Sequence, residues 1–183
     1  MWDTYLEEDL GIGRDVFQNF IQTIYIAEVL IGKKSFVNAL EDALPTLGYK
    51  GSALDIAAYW INRDSYLNHP LLKHIKNLRG KGHKVYLATN QEHLRAFYLW
   101  NSLGLNLLFD DIFYSARMGV TKPDAAFFKN ISQKIDLTNA TPLLFDDSPR
   151  VIEGATKFGW DATLFNTLDD FTNHPFIRTE LGL

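Results

Sequence analysis

Five residues in this chain have side chains and spacing that suggest joint chemistry: Thr89, Asn90, Lys122, Asp146 and Asp147. Thr89 and Asn90 close the run "KVYLA", and Asp146 and Asp147 close the run "LLF". Lys122 stands in the loop beyond "IFYS". Adjacent carboxylates repel each other and lose hydration, so the pair is costly unless a cation lies beside it. Magnesium suits that role, because it prefers oxygen ligands, keeps several waters and is typically held by one or two carboxylates together with a substrate phosphate. Thr89 offers a hydroxyl to a phosphate oxygen, backbone N–H groups after its strand add donors, and Lys122 offsets charge on a transferring group. The set fits phosphoryl chemistry. Asn90 either faces substrate or holds its own loop, and the residues alone leave both open.

For these groups to meet, short strands must deliver them to one rim. From Pro70 onward, helical stretches alternate with short apolar runs: a helix over 71–78, a strand over 85–87, a helix over 92–103, a strand over 112–114, a helix over 124–135, a strand over 143–145, a helix over 149–158 and a strand over 162–165. That alternation predicts a mostly parallel, doubly wound, Rossmann-like α/β sheet with helices on both faces. Ligand sites in such sheets lie beyond the carboxyl ends of the strands, where Thr89, Lys122, Asp146 and Asp147 fall. Ahead of this region, apolar residues at helical spacing predict helices over 14–30, 35–44 and 52–61, a small helical block. Its aromatics Phe17, Phe20, Tyr25, Phe36, Tyr59 and Trp60 are expected in its core.

The motifs "KVYLATNQE", "GVTKPDAAFF" and "LLFDDSPRVIEGA" resemble, in order and spacing, the second, third and fourth motifs of the haloacid dehalogenase (HAD) superfamily. The resemblance covers residues 68 to 166. It implies a phosphate-binding hydroxyl at Thr89, a phosphate-facing cation at Lys122, and magnesium acids at Asp146 and Asp147. Thr89 and Lys122 are then the catalytic residues, with Asn90 joining them in substrate binding. It also implies that residues 14–66 form a small helical cap and 67–183 the α/β core. The implied activity is that of a magnesium-dependent phosphatase on a small phosphorylated metabolite, working through an aspartyl-phosphate. The dehalogenase branch fits less well, because paired acids in the fourth motif suit a metal that a haloacid does not need.

Two departures stand out. Val151 occupies a place where relatives commonly carry asparagine. More seriously, the family's first motif, an apolar strand ending in Asp-x-Asp, has no counterpart: no Asp-x-Asp occurs in these 183 residues, so no nucleophile is assigned. "WDTYLEEDLGI" resembles the stretch that relatives place just after that motif. The expectation is a core strand missing before residue 1, a gap beside the strand carrying Asp146, and no turnover by this form. A second chain filling the gap would make a homodimer. The alternative function is a non-catalytic HAD-fold binding or scaffold protein.

Composition narrows the remaining classes. A net charge of −4 gives no basic face for nucleic acid, and no apolar stretch nears the length of a spanning helix, so neither nucleic acid nor membrane is an expected partner. The absence of a signal-peptide pattern points to a cytoplasmic protein, and zero cysteines exclude thiolate catalysis and thiolate metal sites. "LLFDD" also occurs at 107–111, but there the acids precede the strand, so Asp110 and Asp111 are expected to be ordinary surface acids. Ser148 and Pro149 read as an N-cap and first-turn pair.

Overall fold

In a computed structural model of the chain, residues 2–135, 137 and 140–183 are described. A 3₁₀ turn over Trp2–Tyr5 leads into α1 (Leu6–Leu10), which stops at Gly11 in the left-handed conformation (φ 68°). Helix α2 (Arg14–Phe20) continues as a wider-wound segment over Ile21–Val29, where the Leu30 N–H reaches back five residues to Tyr25 O at 2.8 Å. Then come α3 (Phe36–Leu47), α4 (Ala53–Arg63), α5 (His69–Gly80), β1 (Tyr86–Thr89) and α6 (His93–Phe97), which widens over Tyr98–Ser102. They are followed by β2 (Asp111–Tyr114), α7 (Ser115–Met118), α8 (Ala125–Ser132), β3 (Leu143–Asp146), α9 (Pro149–Phe158), β4 (Asp161–Leu164), α10 (Leu168–Thr172) and α11 (Pro175–Leu181).

The chain divides into two units, each described by itself. The first comprises Met1–Leu67, Asn90–Leu105 and Tyr114–Gly119. Side chains cap its helices: the Ser35 hydroxyl accepts the Asn38 N–H, and Ser52 forms a reciprocal box with Asp55. The periodic apolar positions meet in one cluster in which Phe17, Val29, Leu40 and Ile56 are fully buried. The Trp60 ring lies 5.0 to 6.2 Å from those of Tyr25, Phe36 and Phe17, so the aromatics form core as expected.

The second unit comprises Asn68–Thr89, Asn106–Phe113 and Val120–Leu183. Its strands β3 and β4 run parallel, with Leu143 opposite Asp161 and Asp146 opposite Leu164. Helix α9 makes the crossover between them and packs on both. The fold is α/β as the alternation predicts, but the sheet is divided. β1 pairs with β2, β3 pairs with β4, and no pairing joins β1 to β3 among the described residues.

Candidate functional site

Asp146 is the last residue of β3, and its main chain is tied down because its carbonyl accepts the Phe165 N–H at 2.9 Å. Its carboxylate is held twice. Oδ1 accepts the Ser148 N–H at 3.0 Å, and Oδ2 accepts from the Lys122 ammonium. The same ammonium donates to the Ala88 carbonyl at 2.7 Å. Lys122 therefore links the end of β1 to the end of β3. Both partners are sequestered, with only 10% of the Lys122 side chain and 8% of that of Asp146 exposed. Charge-assisted bonds to a carboxylate in such a setting fix its orientation.

The remaining expected residues are distributed as follows. Thr89 is half-buried at the carboxyl end of β1, next to the Ala88 carbonyl that Lys122 contacts. Asp147 is exposed and makes no hydrogen bond or ion pair among the described residues, unlike its neighbour. Asn90 follows Thr89 but belongs to the first unit, where it is half-buried. Ser115, which follows β2, is wholly buried in that unit and donates its hydroxyl to Gln91 O at 3.0 Å. It is a structural tie rather than part of a rim.

Local sequence accounts for much of this placement. Pro149 opens α9 in its first turn, but the Ser148 side chain makes no capping bond, so the expected cap is replaced by the backbone bond to Asp146. Val151 is buried, as is Ala155, so the position where relatives carry asparagine here contributes packing. Asp124 accepts the Ala126 N–H at 2.8 Å and starts α8 just past the Lys122 loop. In the first unit Glu92, 2% exposed, caps α6 by accepting the Leu94 and Arg95 N–H groups at 2.7 and 2.6 Å. Burial pushes its carboxyl above the ordinary range, against those two backbone donors.

The donor set matches a hard cation in kind: two adjacent carboxylates, one turned to solvent and one oriented from both sides. Among the described residues no third His, Asp or Glu joins them, so any further ligands would be water or phosphate oxygen. Sequence reasoning missed two participants: the Ala88 carbonyl and the Ser148 N–H. Main-chain partners leave no signature in residue identity, so only the neighbouring motif residues signal them.

A family profile described as haloacid dehalogenase-like hydrolase matches residues 4–159. Among solved structures, a HAD family enzyme from Bacteroides thetaiotaomicron superposes with a TM-score of 0.69 at 19% identity, covering 90% of this chain and 91% of that one. The wild-type form of that enzyme in complex with magnesium and inorganic phosphate gives a TM-score of 0.66 at 20% identity, over 84% of this chain and 86% of the other. A predicted HAD-like family hydrolase from Porphyromonas gingivalis gives 0.66 at 17% identity, over 88% and 90%. Among curated proteins, the sesquiterpene phosphatase astK of Aspergillus oryzae is 31% identical over 91 residues, 46% of this chain and 43% of that protein. The match thus spans less than half the length of the fungal relative. With the profile covering most of the sequence and the fold of solved members reproduced, the chain belongs to the haloacid dehalogenase-like hydrolase family.

Proposed function

We propose that this chain serves as a magnesium-dependent phosphatase acting on a small phosphorylated metabolite. The observation that carries the reading is the bridge made by Lys122 between Ala88 O, beside Thr89, and the carboxylate of Asp146. The names of two relatives support it: one is a phosphatase, and the other has been solved with magnesium and phosphate. In this reading Asp146 and Asp147 hold the ion, which would neutralise phosphate charge when bound. Thr89 donates its hydroxyl to a phosphate oxygen, and Asn90 adds a contact to substrate. Lys122 keeps a positive charge against the phosphoryl group while orienting Asp146. The helical residues 14–66 act as a cap that limits the substrate to a small molecule and excludes bulk water.

The aspartyl-phosphate route needs a nucleophilic aspartate and a second one to move the proton, and neither is among these 183 residues as an Asp-x-Asp strand. The divided sheet is consistent with such a strand, since β1 and β3 each pair with a single neighbour among the described residues and so keep an unpaired edge. The test is a panel of phosphate monoesters with magnesium, run on the 183-residue chain and on a form extended upstream. The expected result is turnover by the extended form that is lost in Asp146→Asn. An extended form without magnesium-dependent activity overturns the reading. The missing Asp-x-Asp also favours a second reading, a non-catalytic anion-binding protein, and turnover by the 183-residue chain itself refutes that one.

A further inference from the structure

Gly154 occupies the middle of α9, where an added Cβ would stand 2.7 Å from Pro123 O and 2.9 Å from Pro123 Cβ. Side-chain carbons do not approach other atoms so closely. The atoms met are a carbonyl and a rigid ring, which cannot swing aside as a flexible side chain does. Mid-helix glycine is also a poor choice for helix formation, second only to proline, and alanine would serve α9 better if nothing lay against it. The bare surface therefore has a use in packing.

The loop that it admits is the one that delivers the ammonium. Pro123 follows Lys122, whose Nζ is shared between Ala88 O and the Asp146 carboxylate. Helix α9 is anchored to the same carboxylate at its N-terminal end, through the Ser148 N–H on Asp146 Oδ1 at 3.0 Å. Val151, between these points, and Ala155, just past Gly154, are buried, which seats the helix firmly. One rigid element thus meets Asp146 through the residue that opens it, Ser148, and meets Pro123, the residue next to Lys122, at Gly154.

We propose that Gly154 is a positioning residue, its missing side chain setting how closely the Lys122–Pro123 loop seats the ammonium against Asp146. Its meaning for catalysis rests on the phosphatase reading above, but its geometry does not. The test uses the 183-residue chain labelled with ¹⁵N and a spectrum tuned to lysine ammonium groups. The native protein is expected to give a slowly exchanging ammonium signal that disappears in Lys122→Met. In Gly154→Ala that signal is expected to move and its proton exchange with water to rise on the order of tenfold, because the clamp opens more often. Glu153→Ala, an exposed neighbour on α9, leaves the signal in place.

An unchanged Lys122 signal in folded Gly154→Ala overturns the proposal, since mere destabilisation would leave the native ammonium where it was. Should Gly154→Ala fail to fold, the double variant Gly154→Ala/Pro123→Gly is read against Pro123→Gly alone: a further displacement of the ammonium signal supports the proposal, and identical signals overturn it. Phosphatase activity takes no part in it. An inactive extended form with a displaced ammonium signal sinks the functional reading alone, and an active one with an undisturbed signal sinks the positioning role alone.

Discussion

The pentapeptide Leu-Leu-Phe-Asp-Asp occurs twice in this chain, and its two copies have different fates within the same unit. In the first copy the acids stand at the entry to β2. Asp110 accepts from Arg79 Nη2 at 3.3 Å, from Lys84 Nζ at 3.1 Å and from the Val85 N–H at 2.9 Å, and its own N–H returns to Val85 O at 2.8 Å. Asp111 uses its carboxylate on the Ile112 N–H at 2.7 Å. In the second copy the acids stand at the exit of β3. One is gripped by Lys122 and Ser148, and the other is left in solvent. Acids entering a strand are consumed by the chain's own donors, while acids leaving a parallel strand retain capacity for a ligand. Asp110 is thus more than the surface acid that sequence suggests: its side chain is 14% exposed and it fastens α5 to the start of β1.

The two copies can be set against each other by substitution. The largest effect is expected from Lys122→Met, which leaves the Asp146 carboxylate sequestered without its cation, and about 3–5 kcal/mol of stability should disappear in urea denaturation. Asp110→Asn comes next at about 1–3 kcal/mol, because it weakens several charge-assisted bonds together. Its pH dependence is a second reading of the same contact. Burial pushes the Asp110 carboxyl up, but the Val85 N–H, Lys84 and Arg79 outweigh it and hold it below its usual value. A folded pKa below the unfolded one means that the contribution is complete above about pH 4 and is lost as pH falls through the folded value. Asp110→Asn should therefore flatten the acid limb of the stability curve, and a limb of unchanged slope would contradict the assignment.

Smaller effects sharpen the contrast. Lys84→Met removes the other lysine paired with an LLFDD acid, but that side chain is 71% exposed, so less than about 1 kcal/mol is expected. Asp147→Asn should change stability by no more than about 0.5 kcal/mol. Under the phosphatase reading, however, it should cost the extended form most of its magnesium-dependent turnover. A large stability loss with activity intact would reverse the distinction drawn between the copies.

The order of motifs made the α/β alternation, the helical block and the placement of Asp146 at a strand exit legible in the sequence. Strands were legible to within a residue or two: β1 begins at Tyr86 rather than Val85, and β2 takes in Asp111. Helix α8 stops at Ser132, short of the predicted Ile135: Gln133 still makes the helical bond to Lys129 O, but the Lys134 N–H tightens onto Ile131 O, three residues back. The last residue of that predicted helix is described, but the stretch beyond it includes positions 136, 138 and 139, which lie outside the described residues. The predicted helix over 92–103 holds in outline, but Glu92 serves as its cap and its second half is wound more widely. Helices α10 and α11 went unread, since Asp169 and Asp170 in a short polar stretch look like loop until Thr167 and Asp170 form their reciprocal cap. What eluded the sequence was set by tertiary contact with main-chain atoms, which any residue could have supplied.

The grip on Lys122 also bears on how the protein's amines meet reagents in solution. Lys84 and Lys157 extend most of their side chains into water, with 71% and 74% exposed, although the Asp110 carboxylate that Lys84 reaches is itself largely enclosed. Lys122 has its nitrogen committed to a carbonyl and a carboxylate and its stem enclosed. Acylating and reductive-methylating reagents need a free amine lone pair and room to approach it. Under brief labelling the lysines should therefore separate into a fast class containing Lys84 and Lys157 and a slow one containing Lys122. Modification of Lys122 would then report opening of the bridge between the two strand pairs.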